Sequence, residues 1–426
     1  MAIQNVPVFN AHDHIWPLNR FESPMTVSSL FKHSYLAWSM RVSDGSPNGI
    51  ARSPSSAFED NSWEAVQAII KKVNLSSFYW TLLRGLAELY DLPDKELTKD
   101  SWQKLSPKLE ENYKNPAWMT KVLDRANIKA VIYDLHFKPG DWETPEPRLI
   151  PSLKISSSLA AFHPEALDFE GYNLIRDWAP YFDIWVDSLK DLEDLIEKVL
   201  NKNIQAGARS LKSPIAYERS LAIGPGTREK ASQIFGTPPD RISPEDRLAF
   251  GDYIIRFYLE QARAKNLVFQ VHTGMARLND ANPILMTTAL EQYPDIVFDL
   301  FHGGYPWIHE ISSLAKNYPN VRLNLAWLPQ LSIDMAVSAL KEWLQVIPQN
   351  DRIVWGGDCW TMEEMFGALL AGKHVIARAL ADFVDEGYIG IDDAILTAKN
   401  ILFQNGIDIY HMEHLENEQH KSVSAV

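Results

Sequence analysis

Cysteine is almost absent from this chain of 426 residues, since Cys359 is the single example. A lone cysteine cannot form an internal disulfide, which fits a reducing compartment. Long apolar runs are also missing, because no segment approaches the roughly 20 consecutive apolar residues that span a bilayer. The opening residues, MAIQNVPVFNAHDH, contain neither the basic stretch nor the long apolar stretch of a secretory signal. We therefore expect a cytoplasmic protein that does not enter a membrane.

Positive charge is scarce as well, with 41 Lys and Arg against 55 Asp and Glu and a formal net charge of −14. Binding to a phosphate backbone needs a basic face, so nucleic acid is not an expected partner. A serine nucleophile elbow and a phosphate-binding loop are missing too. What remains is a chain with 46% hydrophobic and 23% charged residues. That composition is typical of a soluble globular enzyme, for which we expect a small-molecule substrate.

Short apolar or β-branched runs alternate with amphipathic stretches of helical period along most of the chain. This alternation indicates parallel strands joined by crossover helices, and eight such units predict an α/β protein of the (β/α)8 TIM-barrel type. A clear helix is predicted over residues 244–265, where Ser243 can cap the first turn with Asp246 three residues on. The eight predicted strands are residues 6–15, 130–137, 149–155, 206–211, 267–272, 296–302, 321–326 and 353–358.

Residues 20–115 do not fit the alternation. They contain helical patterns at 63–73 and 77–89 and many aromatic residues, so they are interpreted as a helical insertion after strand 1. Because the insertion leaves strand 1 at its C-terminal end, where the active sites of barrels lie, it could form a lid or an interface between copies of the chain. The predicted organisation is a barrel of residues 1–19 and 116–411, the insertion, and a polar tail of residues 412–426.

The motif His12-Asp13-His14 stands at the end of the first predicted strand. Residues two apart in a strand point the same way, so both imidazoles face one side and Asp13 faces the other. Two adjacent imidazoles are a good start for a divalent-metal site. Taken alone the motif is weak, since two hydrogen-bonded histidines near a strand end would look the same.

Three more residues that can bind a metal end later strands. His272 ends strand 5, His302 ends strand 6 and Asp358 ends strand 8, each directly before turn residues. In a closed barrel all these strand ends meet at one rim, so we expect the three side chains to surround a single point with the histidines of strand 1.

These residues resemble the amidohydrolase superfamily, which places H-x-H on strand 1, histidines on strands 5 and 6, and an aspartate on strand 8. The similarity is greatest to the amidohydrolase-related domain that is fused to glutamine synthetase-like modules in some fungi and plants. It runs from about residue 12 to residue 403, apart from the insertion. One departure is GGDCW, which keeps the aspartate but replaces a serine-containing version. The segments that carry the resemblance are LKSPIAYERSL, QVHTG, ANPILM, HGGYPW and YPNVRLNL.

The resemblance implies that His12, His14, His272 and Asp358 bind a divalent metal. Asp358 would also take a proton from the metal-activated water, since a bound divalent ion can bring the pKa of water near 7. Imidazole and carboxylate ligands favour zinc, with manganese or iron tolerated.

Lys212 determines the expected number of ions. In binuclear members of the superfamily a lysine at the end of strand 4 carries a carbamate that bridges two metals, and His302 then serves the second ion. Lys212 follows the fourth predicted strand and is in that place. The alternatives are a free ammonium that binds a substrate carboxylate, or an ordinary surface lysine. If Lys212 is free, His302 becomes an acid or a second-sphere group that polarises the substrate.

Several loop residues are candidates for substrate binding. Arginine pairs bidentately with carboxylate, so an anionic substrate is predicted, although loop salt bridges explain the same arginines. Trp307 and Trp360 could line the pocket or pack beneath the insertion. His136, which ends strand 2, could contact the substrate or be a structural residue. The candidates are Tyr217, Arg219, Arg277, His136, Trp307 and Trp360.

The predicted function is hydrolysis of an amide, a lactone or a related bond, in which metal-activated water attacks a carbonyl carbon. The alternative keeps the barrel and the metal but changes the chemistry to decarboxylation, hydration or isomerisation of a carboxylated or sugar-acid substrate. A non-catalytic metal-binding domain is a third reading, and the complete ligand set counts against it.

Overall fold

Eight strands form the centre of the fold. The computed structural model of the chain describes residues 3–43, 56–134, 144–348 and 350–415. The strands follow each other in chain order in one sheet, and the pairs from the third to the seventh strand run parallel. With their surrounding helices they form a nearly closed (β/α)8 barrel, which confirms the predicted fold. The strands are β1 (Val8–Asp13), β2 (Ile128–Tyr133), β3 (Leu149–Lys154), β4 (Ser210–Ser213), β5 (Val268–Val271), β6 (Phe298–Leu300), β7 (Val321–Asn324) and β8 (Ile353–Val354).

The helix predicted over residues 244–265 has those bounds in the structure. The Ser243 side chain accepts the N–H of Asp246, and Pro244 occupies the first turn, where no backbone donor is needed. The α-helices of the described residues are α1 (Val27–Lys32), α2 (Tyr35–Ser43), α3 (Trp63–Val73), α4 (Ser77–Tyr90), α5 (Lys99–Lys114), α6 (Trp118–Arg125), α7 (Ser156–Leu159), α8 (Leu174–Trp178), α9 (Leu189–Gln205), α10 (Arg228–Ile234), α11 (Pro244–Lys265), α12 (Thr287–Gln292), α13 (Ile308–Asn317), α14 (Leu328–Leu331), α15 (Ile333–Val346), α16 (Met362–Asp385), α17 (Ile391–Lys399) and α18 (Asn405–Ile409).

The chain divides into two compact units. Unit 1 contains Met1–Val131, Leu325–Gln345 and Val354–Gly406, and unit 2 contains Ile132–Asn324, Val346–Ile353 and Ile407–Val426. Unit 1 therefore carries β1 and the segment after β8, whereas unit 2 carries β3 to β7. Among the described residues no helix combines the length and the apolar character needed to cross a membrane.

Within unit 1, α4 packs directly on α16. Gly85 of α4 and Gly367 of α16 form the crossing, and a Cβ on Gly85 would overlap the carbonyl oxygen of Glu363. A Cβ on Gly367 would likewise overlap the carbonyl oxygen of Thr81. The two backbones are therefore in contact with no side chain between them.

A buried carboxylate of α16 forms hydrogen bonds with both α4 and α5. Glu363 accepts the O–H groups of Tyr90 in α4 and Tyr113 in α5, each at 2.7 Å. Burial raises the pKa of Glu363, and these two hydrogen bonds oppose that rise. The separate identity of residues 20–115 as an insertion, and its role as a lid or interface, stay predictions.

The fourth strand begins later than the sequence predicts. Ala206 instead ends α9, because its N–H donates to the carbonyl of Lys202 at 3.0 Å, and Gly207 follows with a φ of 101°. The prediction of residues 206–211 is therefore wrong at its start. Lys212 lies inside β4 rather than after it, with its Cα in register with that of Gln270.

The eighth strand is shorter than predicted, with two residues in place of 353–358. Gly357 approaches β1 so closely that a Cβ there would overlap Oδ2 of Asp13. Asp358 then adopts a φ of 58°, which turns the chain out of the extended conformation. The sixth strand is shortened in a similar way, since His302 has a φ of 64°.

Candidate metal centre

Two histidines and one aspartate meet in unit 1. His12 lies in β1, His14 directly follows it, and their Nε2 atoms are 3.3 Å apart. Oδ1 of Asp358 lies 3.3 Å from His12 Nε2 and 3.0 Å from His14 Nε2. The His12 side chain is fully buried, whereas that of His14 is 20% exposed. The cluster is therefore open to solvent on the side of His14.

The three groups fit a divalent metal ion. With metal–ligand bonds of about 2.0–2.2 Å, the ligand atoms of a tetrahedral shell lie about 3.3 Å apart. The three observed separations are 3.0 to 3.3 Å. One carboxylate and two imidazoles are also the ligand types of catalytic zinc, which keeps a fourth position for water or substrate. His12, His14 and Asp358 are thus a candidate centre for one ion.

Two buried titratable groups lie next to the ligands. Burial raises the pKa of Asp13 to about 7, while hydrogen bonds from the Cys359 amide and the Asn10 side chain oppose that rise. Burial also raises the pKa of the Cys359 thiol well above its usual range, and nearby carboxylates add to the effect. The thiol donates to the carbonyl of Gly357 at 3.2 Å. A protonated thiol is a poor ligand and a poor nucleophile.

Aromatic side chains pack beside the segment that carries Asp358. Tyr35 stacks on Trp360, with ring centroids 4.4 Å apart. The ring centroid of Tyr35 also lies 4.8 Å from that of Trp327. Glu364 accepts the N–H groups of Tyr35 at 2.7 Å and of Trp360 at 3.3 Å. Burial raises the pKa of Glu364 to about 8. The start of α2 and the loop after β8 are thus held by one carboxylate.

A second group of predicted residues meets within unit 2. Nε2 of His302 lies 2.9 Å from Nδ1 of His272, and Nε2 of His272 lies 3.1 Å from the carbonyl of Met275. The Tyr217 ring packs on His272, with centroids 4.4 Å apart. The prediction that these histidines share one point with those of β1 stays a prediction, because the two groups belong to different units.

Lys212 is buried in β4 and carries its charge against an aromatic ring. Its Nζ lies 4.0 Å from the centroid of Phe301. Asp299 is fully buried nearby, and burial raises its pKa to about 6. Hydrogen bonds from Tyr410 and Asn324 lower that pKa, and so does the positive charge of Lys212. The surface-lysine interpretation of Lys212 is therefore wrong.

Comparisons with known proteins support the fold and indicate a family. Residues 234–383 match the family model described as amidohydrolase. The fold is similar to that of a Lactobacillus casei protein classed as a metal-dependent hydrolase, with a TM-score of 0.65, 16% identity and 97% of both chains covered. The family match and the ligand cluster support a metal-dependent enzyme, for which a small-molecule substrate is expected.

The fold is also similar to those of two solved isomerases. Uronate isomerase from Thermotoga maritima superposes with a TM-score of 0.72 at 12% identity, over 96% of this chain and 95% of the isomerase. Glucuronate isomerase from Caulobacter crescentus gives a TM-score of 0.72 at 14% identity, over 97% and 92% of the two chains. At such identities the likeness concerns the fold alone.

One curated relative is matched in sequence. Protein fluG of Emericella nidulans is 27% identical over 267 residues, which cover 58% of this chain and 30% of fluG. The chain therefore spans about a third of the length of that relative.

Three of the predicted substrate residues line one cavity of unit 2. Tyr217, Arg219 and Arg277 border a space of about 510 Å³, and Phe169 stacks on Tyr217 at 5.2 Å. Arg219 is already engaged, since it pairs with buried Asp252 and donates to three backbone carbonyls. Its role in substrate binding stays a prediction.

The other substrate candidates are placed as follows. Arg277 pairs with Asp280 at 2.9 Å and donates to the carbonyl of Glu218. Burial raises the pKa of that Glu218 carboxyl to about 7. Trp307 is half-buried just before α13, and His136 lies outside the described residues.

Sequence reasoning missed Trp327. Trp327 has a φ of 63°, which is rarer for a bulky residue than the positive φ values of His302 and Asp358 are for histidine and aspartate. Strained residues of this kind cluster at functional sites. The available signal is position: Trp327 directly follows the seventh predicted strand, just as the candidate ligands follow or end theirs.

Proposed function

We propose that this chain is a hydrolase that depends on one divalent ion, with zinc as the expected metal. It would cleave an amide, a lactone or a related bond at the carbonyl carbon of a small, carboxylate-bearing substrate. The observation that carries the proposal is the convergence of His12, His14 and Asp358 within 3.0 to 3.3 Å of one another.

The ligand residues divide the work. A bound divalent ion would lower the pKa of a water molecule and polarise a carbonyl oxygen. His12, fully buried, fixes the inner side of the shell, while His14 borders the side open to solvent. Asp358 is the carboxylate of the cluster, so it is placed to accept the proton of the attacking water and to return it to the leaving group.

The surroundings of Lys212 support one ion rather than two. Its Nζ lies 4.0 Å from the Phe301 ring centroid, and the Asp299 carboxylate provides a nearby negative charge. Both favour an ammonium, and the carboxylate would repel a carbamate. This arrangement supports the second candidate function as well, an isomerase or lyase in which the Lys212 ammonium binds the carboxylate of a sugar acid.

Metal analysis tests the proposal at its root. We expect one zinc ion per purified chain, loss of turnover after chelation, and loss of the ion in His12→Ala. His309→Ala is the matched control, because His309 is an exposed histidine of α13 and should leave the metal content unchanged. A chelated, metal-free sample that keeps full activity would contradict the proposal.

Two further measurements separate the candidates. Turnover of N-acyl amino acids or lactones would support the hydrolase, and turnover of uronic acids instead would support the isomerase. Native mass spectrometry in bicarbonate should show no carbon dioxide on Lys212. A carbamate there, together with two ions per chain, would show the single-ion assignment to be wrong.

A further inference from the structure

Asp358, the carboxylate of the candidate metal centre, is held in an unfavourable backbone conformation. Its φ of 58° lies in the left-handed region, which is unfavourable for a residue other than glycine. Such a conformation persists only where surrounding contacts impose it. The contacts that do so come from two side chains of β1, neither of which is among the three candidate ligands.

Three consecutive N–H groups around Asp358 donate to β1. The N–H of Gly357 donates to Oδ1 of Asn10 at 2.9 Å, and that of Cys359 donates to Oδ1 of Asp13 at 2.6 Å. Between them, the N–H of Asp358 donates to the carbonyl of His12 at 3.0 Å. The backbone on both sides of the carboxylate ligand is therefore fixed by Asn10 and Asp13.

The same two side chains also hold the histidine ligands. Asp13 Oδ1 accepts the N–H of His14 at 3.0 Å, and Asn10 Oδ1 lies 3.3 Å from the N–H of His12, which donates to it. Nδ2 of Asn10 donates to Oδ2 of Asp13 at 2.7 Å, which joins the two side chains. Both are fully buried, so water cannot replace these bonds.

We propose that Asn10 and Asp13 form a clamp that assembles the three metal ligands before the ion binds. The clamp consists of these two side chains and acts as a pair of positioning residues. Its atoms contact backbone amides of all three ligand segments, so they set the distance between the two histidines and Asp358. The inference deepens the proposed function, because it concerns the same metal centre and rests on it.

An exchange of the two residues tests the clamp. Asp13→Asn places one amide N–H₂ group against another, and Asn10→Asp places two carboxylates together. The double variant Asn10→Asp/Asp13→Asn again faces one donor with one acceptor, and every backbone N–H still meets an oxygen. Since outer partners of metal ligands typically contribute 10- to 100-fold in affinity, we expect each single variant to bind zinc about 10- to 100-fold more weakly. The double variant should regain most of that loss.

The readouts are the zinc dissociation constant, from competition with a chelating dye, and the absorption spectrum of bound cobalt, which reports ligand geometry. The control is Asn173→Ala in unit 2, a buried asparagine whose side chain donates to three carbonyls of a loop. That variant should lose stability and keep its zinc affinity and cobalt spectrum.

The outcomes separate the clamp from the proposed function. Single variants with wild-type zinc affinity and an unchanged cobalt spectrum would overturn the clamp while leaving the metal centre intact. If the single variants do not fold, the double variant decides: wild-type affinity supports the clamp, and a folded double variant with affinity as weak as that expected of the singles overturns it. A wild-type chain that binds no zinc would overturn the proposed function, and the clamp with it.

Discussion

Replacing Gly85 with alanine tests how firmly the region after β1 is joined to the barrel. The new Cβ would overlap the carbonyl oxygen of Glu363 and lie 2.9 Å from the amide nitrogen of Gly367. Normal contacts are about 3.5 Å, so α4 and α16 would have to separate by roughly 1.5 Å. Overpacking costs about 1–3 kcal/mol, and we expect a value near 3 kcal/mol because backbone atoms cannot rotate away. Alanine is intrinsically better than glycine in a helix by about 1 kcal/mol, which works against the predicted loss.

The assay is urea unfolding of wild type and Gly85→Ala, followed by tryptophan fluorescence. Gly390→Ala is the matched control, because a Cβ there would meet its nearest atom, Asp393 Oδ2, at 3.7 Å, and its φ is −77°. We expect the control to lose at most about 1 kcal/mol, because Gly390 is the N-cap residue of α17 and alanine caps a helix less well than glycine. If Gly85→Ala unfolds at the wild-type urea concentration, the two helices are not in backbone contact, and a mobile lid becomes the better account of α4.

Two other predictions concern unit 2. Burial raises the pKa of Asp299 from 3.8 to about 6, so the folded state binds the proton more tightly than the unfolded state. Stability should therefore fall by about 2 kcal/mol as the pH rises from 4 to 6, and Asp299→Asn should reduce the pH dependence of unfolding across this range by that amount; an unchanged slope would rule out Asp299 as a contributor. Arg219→Ala leaves the buried Asp252 carboxylate without its partner and should cost about 3–5 kcal/mol in thermal unfolding. A variant of wild-type stability that binds substrate poorly would instead favour Arg219 as a substrate contact.

The fold could be predicted because its signal is repeated along the chain. Each buried parallel strand is a short apolar run, and each crossover helix has its own period and caps, as at Ser243 and Pro244. Two departures from the predicted strands could not be foreseen: Ala206 belongs to the end of α9, and Asp358 lies in a turn after β8. At Ala206 the outcome depends on how far α9 continues, and at Asp358 it depends on a tertiary contact, the approach of Gly357 to Asp13.

Alternation within β1 and an aspartate at the end of a predicted strand pointed to His12, His14 and Asp358. The residues that hold these three side chains in place could not be predicted. Asn10 and Glu364 look like ordinary polar residues in the sequence, and their importance lies in which backbone amides they meet. For Trp327 the sequence offers only its position directly after the seventh predicted strand, since its positive φ is a property of the folded chain.

The discontinuous make-up of unit 1 has a consequence for synthesis of the protein. His12 and His14 emerge from the ribosome before two other parts of unit 1, Leu325–Gln345 and Val354–Gly406. The stretch Ile132–Asn324 of unit 2 is translated between them, so it can begin to fold before Asp358 exists. Contacts between such distant parts of a chain form slowly. The proposed metal centre can therefore be completed only late in synthesis, after residue 358 has been added to the chain.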